Sequence, residues 1–359
     1  MLDYLIVGLG LAGISFCETL EKEGRSFKVI SDDSQQASLV AGGLYNPVIL
    51  KRFTLAWKAK EQLEMAMPFY QHMEKKLGIT LDHKIPVLRK FASIEEQNAW
   101  FEAADRPGLD YFLSTKILKN QNPNIDAPFG FGEVKYTGRI NTRTLLTSYA
   151  EYLSQKALLT SEPFDFDCFT ASLDHISYKS INARQIVFCE GYGLKTNPFF
   201  GYLPLNGTKG ELLIIKAPAY QETNVVKSSV FTIPLREDLY LVGATYKWKD
   251  KTNEPTQEAK TELLEKLKTF LKCDFEVVDH VAGIRPTVVD RRPLVGQHPE
   301  HKNLFVLNGL GSRGVLIAPY ASQQLFNAIE KGSGLDSEID INRFIKKYPL
   351  RPTKRDTSP

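Results

Sequence analysis

The chain has few cysteines, four in 359 residues, and they are scattered at Cys17, Cys168, Cys189 and Cys273. None forms a C-x-x-C pair and none has a histidine companion, which argues against a zinc site and against a disulfide framework. They read as small buried hydrophobes, and no metal is expected. No apolar run is long enough to cross a bilayer. The first strand starts at residue 3, which leaves no room for a charged leader and an apolar signal segment, so a cytoplasmic protein is expected. Neither charge sign dominates: the net charge is +3, too small to argue for or against nucleic acid. None of the six histidines falls in a usable motif. There is no internal repeat and no low-complexity segment. The one basic cluster, Lys346, Lys347, Arg351, Lys354 and Arg355, sits at a Pro-containing tail (351–359) and reads as solvated.

What remains is an ordinary globular composition, 43% hydrophobic and 24% charged. The length suggests two domains, or one large α/β body carrying a second lobe. The stretch that organises the chain is Tyr4 to Asp33. An apolar run, Tyr4 to Val7, has the length of a buried strand. Gly8, Gly10 and Gly13 follow in the spacing G-x-G-x-x-G, and apolar residues then recur at helical spacing from Leu11 to Lys22. A second apolar strand, Phe27 to Ile30, ends in Ser31, Asp32 and Asp33. The first glycine permits a tight turn, the second lets a pyrophosphate approach the backbone, and the third lets the helix sit close on the sheet. The helix start offers unpaired N–H groups and partial positive charge to phosphates. Asp32 lies where an acid takes ribose hydroxyls, with Asp33 as the alternative. Glycines also serve turns in unrelated α/β units; here strand, helix, second strand and terminal acid come in order, which favours dinucleotide binding.

Further along, Leu39 to Val48 (LVAGGLYNPV) reads as a loop with apolar flanks. Such a loop suits a flat apolar ring, or equally a buried crossover. A helix is expected over Phe53–Leu77 with Gly78 as its C-cap, then a strand, a turn and a strand over residues 79–91, and a helix from the Ser93/Glu96 box to about Ala104. The Pro/Gly/Asn-rich stretch from Pro107 to Gly132 is where a second lobe would be inserted. Helix returns over Gly138–Leu153 with Asn141 as N-cap. Ile186 to Cys189 is a short strand ending in Glu190-Gly191-Tyr192-Gly193. Glu211–Lys216, Val230–Pro234 and Leu239–Thr245 read as neighbouring antiparallel strands, Thr256–Leu271 as an amphipathic helix, and Phe275–Val281 as a strand leading to Gly283-Ile-Arg285-Pro286. Last come a strand (Leu304–Leu307), a glycine turn (Asn308–Gly314) and a helix (Tyr320–Ile329).

Four blocks together resemble the glycine oxidase and D-amino-acid oxidase family of flavoproteins: GLGLAG at 8–13, AGGLYNP at 41–47, AGIRPTVVDRRPLVG at 282–296 and NGLGSRGVLIAP at 308–319. The last is also similar to the oxidoreductase half of the bacterial enzyme that matures methylaminomethyl-uridine in tRNA. The fold expected is α/β, α+β overall: a Rossmann-like FAD-binding domain (1–84, 138–202 and 281–350) with an inserted, mostly antiparallel-sheet substrate domain (85–137 and 203–280). The resemblance implies FAD, bound non-covalently. It implies that Gly8, Gly10 and Gly13 hold the pyrophosphate and Asp32 the adenosine ribose. Ala41, Gly42, Gly43 and Leu44 would line the flavin ring, Gly191 the adenine side or pyrophosphate, and Gly309, Gly311, Ser312, Arg313, Gly314 and Val315 the ring's far side. In the family, the arginine of GxRP, here Arg285, pairs with the substrate carboxylate, for which a planar charged fork is suited; a structural pairing with Asp290 or a sheet carbonyl is the alternative. Arg313 is a second candidate contact, with flavin contact or a packing salt bridge as its alternative. Arg291 and Arg292 read as structural or surface residues. The chain departs from glycine oxidases at Phe231, where they carry a tyrosine, and Tyr246 is the hydroxyl that would face the site instead.

Three functions follow from the resemblance. The first is FAD-dependent oxidation of the C–N bond of an amino acid or N-substituted glycine. The second is removal of the carboxymethyl group from carboxymethylaminomethyl-uridine in tRNA. The third is FAD-dependent electron transfer without an amine substrate. The expected partner is a small-molecule amine or amino acid, or a modified tRNA uridine.

Overall fold

The computed structural model describes residues 1–348; the expected tail 351–359, with Arg351, Lys354 and Arg355, lies outside the described residues. The chain divides into two compact units. One contains residues 1–39, 142–208 and the described chain from 284 to 348; the other contains 40–141 and 209–283. Residues 40–84, expected with the first domain, pack in the second unit.

The first unit is built on a mixed sheet. Its parallel strands run in the order Leu159–Ser161, Phe27–Ser31, Leu2–Val7 and Ile181–Phe188. Leu304–Asn308 continues the parallel set beside the C-terminal half of Ile181–Phe188, and Leu294–Gln297 returns antiparallel to it. The antiparallel pair Phe169–Ala171 and Ile176–Tyr178 takes the N-terminal half of the same strand. From Tyr4 to Val7 the first strand is apolar and buried because both its faces are covered. Leu5 and Val7 join one core with Ile186, Phe188 and Val306, while Tyr4, on the other face, packs edge-to-face on Phe16 of the helix Leu11–Lys22.

The second unit carries an eight-stranded sheet in the order Glu276–Arg285, Thr208–Lys216, Leu239–Gly243, Phe231–Arg236, Val225–Lys227, Val87–Lys90, Phe131–Val134 and Leu113–Leu118. The last two residues of Glu276–Arg285 belong to the first unit, as does Thr208. One face of this sheet packs on Trp100, Phe91 and Phe53; the other packs on Leu263, Leu267 and Phe270. Fully buried Lys209 donates to Asp250 Oδ2 at 2.5 Å and Thr252 Oγ1 at 3.2 Å, and Glu211 beside it accepts from Thr256 N–H and O–H. These bonds pin the segment after Gly243 to the start of a central strand.

Four expectations are corrected. The helix expected from Phe53 begins at Ala59. Phe53 and Lys58 hold left-handed backbone (φ 48° and 45°), which no right-handed helix continues through, and Val48–Ile49 with Thr54–Leu55 form a short antiparallel pair instead. Gly138–Ile140 is a strand, and the helix starts at Thr142. The final helix runs Gly314–Lys331 with Pro319 inside it; the missing N–H costs one early intrahelical bond but not the helix. Cys168 is exposed, unlike buried Cys17 and Cys189.

Candidate functional site

In the first unit the glycine turn is fixed by close approaches. Gly8 has φ 95°, and a Cβ on it would stand 2.6 Å from the Cys189 carbonyl oxygen; a Cβ on Gly13 would stand 2.1 Å from the Gly8 carbonyl oxygen. Both positions therefore require glycine. Gly10 is the extended residue preceding the helix Leu11–Lys22, whose first turn holds no acid. A Cβ there would meet Ser38 Oγ at 3.3 Å, and Leu11 N–H donates to the same hydroxyl at 3.3 Å. Asp33 is exposed, and so is Asp32, which directly follows the second strand. Asp32 Oδ1 accepts from Ser34 Oγ at 2.8 Å.

Two further turns close on this corner. Asn308, buried at the end of its strand, donates from Nδ2 to the Gly191 carbonyl at 3.0 Å and accepts from Gly309 N–H at 2.7 Å. Glu190, just before Gly191, accepts from Asn197 Nδ2 at 2.7 Å. Burial pushes its carboxyl up to about 7; the Asn197 bond opposes this and the Asp32 charge adds to it.

Arg285 ends its strand, and the carbonyl of the next residue, Pro286, accepts from Gly311 N–H at 3.1 Å. Arg285 and Arg313 thus stand on two turns joined by a backbone bond. Arg313 directly precedes the helix Gly314–Lys331, and burial lowers its guanidinium to about 10. Asp290, the alternative partner for Arg285, is engaged by Arg343 Nε at 2.8 Å and by Arg292 N–H at 3.0 Å. Arg292 pairs with Glu338 at 3.0 Å. Gly309 and Gly311 both hold positive φ; a Cβ on Gly311 would meet nothing within 4 Å. Ser312 is exposed and Val315 buried.

In the second unit Ala41, Gly42, Gly43 and Leu44 run beside the strand Gly138–Ile140. Ile140 N–H donates to the Gly43 carbonyl at 3.0 Å, and a Cβ on Gly43 would stand 1.8 Å from the Ile140 carbonyl oxygen. Arg139 Nε donates to the Gly42 carbonyl at 3.2 Å, and burial lowers the pKa of its guanidinium. Gly42 lies over the large sheet: a Cβ there would meet Ile233 at 3.1 Å, Leu241 at 3.4 Å and Phe231 at 3.8 Å. Tyr246 is 45% exposed, edge-to-face with Trp248, on the segment pinned by Lys209.

Glu190, Asn308 and Arg139 were not singled out from sequence. Glu190 and Asn308 each stand inside or beside a quoted glycine block, a signal that could have found them; Arg139 had none. His298, Glu300 and His301 are close enough to suggest a metal site, but His298 Nδ1 already accepts from the N–H groups of Glu300 and His301 at 3.2 and 3.3 Å.

A helix start cradled by glycines, with an acid at the next strand end, marks the first unit as a dinucleotide-binding domain. More particularly, the chain belongs to the FAD dependent oxidoreductase (DAO) family, whose model matches residues 3–327. It is 27% identical over 196 residues to the tRNA 5-methylaminomethyl-2-thiouridine biosynthesis bifunctional protein of Aromatoleum aromaticum, covering 48% of this chain and 31% of that protein. It is 28% identical over 358 residues to glycine oxidase of Pseudomonas aeruginosa, covering 94% and 96%. The chain spans about a third of the length of several other curated relatives that it matches. Among solved structures it superposes on iminodiacetate oxidase from Chelativorans sp. BNC1 with a TM-score of 0.76 at 17% identity, covering 98% and 100% of the two chains; that likeness shows the fold.

The chain is thus an FAD-dependent enzyme, and the residues present fit the cofactor. Gly10 supplies a side-chain-free approach to a helix start without acids, Asp32 an exposed carboxylate, and Gly311 open space beside its backbone. No described helix is long and apolar enough to cross a membrane.

Proposed function

We propose that this protein oxidises the C–N bond of an amino acid or N-substituted glycine. FAD supplies the hydride acceptor for the carbon next to nitrogen, and water hydrolyses the resulting imine. Gly8, Gly10 and Gly13 let the pyrophosphate approach the helix start, Asp32 takes the adenosine ribose, and Gly191 borders the adenine side or the pyrophosphate. Gly309, Gly311, Ser312, Gly314 and Val315 wrap the flavin ring. Ala41, Gly42, Gly43 and Leu44 line it. The cofactor is held without a covalent link.

The observation that carries the reading is the bond between Pro286 and Gly311. It sets two arginines, Arg285 and Arg313, on adjoining turns, and Asp290 beside them is engaged by Arg343. An arginine fork placed this way binds a carboxylate by charge-assisted bonds and orients the carbon that loses hydride. Arg313, and Tyr246 on its pinned segment, are the further substrate contacts.

The second reading is removal of the carboxymethyl group from carboxymethylaminomethyl-uridine in tRNA. The likeness to the tRNA-modifying bifunctional protein favours it, and the substrate contains the same glycine unit. Anaerobic titration of the purified yellow protein with glycine, sarcosine, a D-amino-acid panel and undermodified tRNA separates the two. Bleaching by a free amino acid supports the first reading, and bleaching by tRNA alone supports the second. A flavin that none of them reduces counts against both.

A further inference from the structure

Lys227 ends the short strand Val225–Lys227. It stands opposite Phe231 on one neighbouring strand and opposite Arg89 on the other, so the three side chains share one face of the large sheet. Its Nζ lies 5.8 Å from the centre of the Phe231 ring. That ring underlies Gly42 and approaches Gly243, which places Lys227 beside the loop assigned above to the flavin.

The acid of this corner is already used. Glu96 Oε1 accepts from Arg89 Nε at 3.0 Å and Nη2 at 2.6 Å, and its Oε2 accepts from Ala92 N–H at 2.7 Å. Arg89 Nη1 goes to the Ser228 carbonyl. Apart from its backbone ladder, Lys227 makes no hydrogen bond or ion pair with another described residue. Burial, with the Arg89 and Lys266 charges added, lowers its ammonium to about 8, so it is still a cation at neutral pH. A half-buried cation without a counter-charge is costly, and an anion that arrives with the substrate removes that cost.

We infer that Lys227 is a specificity-determining residue that binds a second anionic group on the substrate, so that the preferred substrate is an amino or imino acid with two negative ends. This rests on the function proposed above. The anionic group is a carboxylate or a phosphonate, and both are tested.

The experiment compares iminodiacetate and N-(phosphonomethyl)glycine with N-ethylglycine, which lacks the second charge, on the FAD-loaded enzyme. The wild type is expected to favour at least one dianionic probe about tenfold or more in kcat/KM, the scale of a charge-assisted hydrogen bond. K227M is expected to lose that preference through KM while its kinetics with N-ethylglycine stay as in the wild type, and K227R to keep most of it. Which dianion is favoured identifies the group. A wild type without preference overturns the inference, whatever the variants do, and so does a K227M enzyme that keeps the preference. If no probe is oxidised, the proposed function fails, and the Lys227 inference is then judged by binding, read as perturbation of the flavin absorbance. Tighter binding of a dianion, lost in K227M, would support it; equal binding would overturn it.

Discussion

Asn308 donates its side-chain amide to the carbonyl of Gly191, 3.0 Å away, and so ties together the ends of two adjacent parallel strands. The same side chain accepts the Gly309 N–H. One buried amide therefore fixes both glycine turns that the proposal assigns to FAD. Asn308→Ala removes both bonds and leaves buried backbone groups without partners, which costs about 1–3 kcal/mol. Denaturant unfolding of the apo-protein should show that loss, and the FAD dissociation constant should rise. An unchanged FAD affinity would mean that these turns do not contact the cofactor.

Gly13 and Gly24 offer a paired test of the glycine turn. A Cβ on helical Gly13 would collide with the Gly8 carbonyl oxygen, whereas Gly24, at positive φ, has nothing within 4 Å. Gly13→Ala should push the helix off the sheet and yield protein that does not retain FAD through purification. Gly24→Ala should cost only about 1 kcal/mol of backbone strain and remain yellow. Equal flavin content in the two variants would contradict the assigned role of Gly13.

Glu190 gives the apo-protein a pH dependence of definite sign. Burial raises its carboxyl from 4.5 to about 7 in the folded state, so between those values the native state binds more proton than the unfolded one. Stability contributed by this group is present below about pH 4.5 and falls as the pH rises towards 7, by ~1–3 kcal/mol. Glu190→Gln should flatten that part of the stability–pH curve, measured by denaturant unfolding in a pH series. A curve with the wild-type slope would show that Glu190 does not titrate in this window.

How much could be read in advance depended on the range of the forces involved. Tyr4 to Asp33 was legible because its strand, glycine turn, helix and acid are specified by neighbours in sequence. The helix boundary near Phe53 was not, because left-handed residues at Phe53 and Lys58 interrupt a helical apolar pattern without changing it. Pro319 misled in the opposite sense, reading as a helix start while sitting inside one. Arg285 was singled out by its motif, yet the fate of its alternative partner depended on Arg343, 53 residues beyond Asp290. Lys227 and Arg139 were invisible because their interest lies in spatial neighbours: a ring and a spent acid for one, a loop carbonyl for the other.

The central claim is that Arg285 holds the carboxylate of an oxidised amine, and the direct test is Arg285→Met with its FAD content measured. The account predicts a variant as yellow as the wild type whose kcat/KM for the carboxylate substrate falls about 10²-fold, near 3 kcal/mol for a lost charge-assisted pair. Its kcat/KM for the matching carboxamide should stay close to wild type. A flavin-replete variant that oxidises the carboxylate substrate as the wild type does would contradict it.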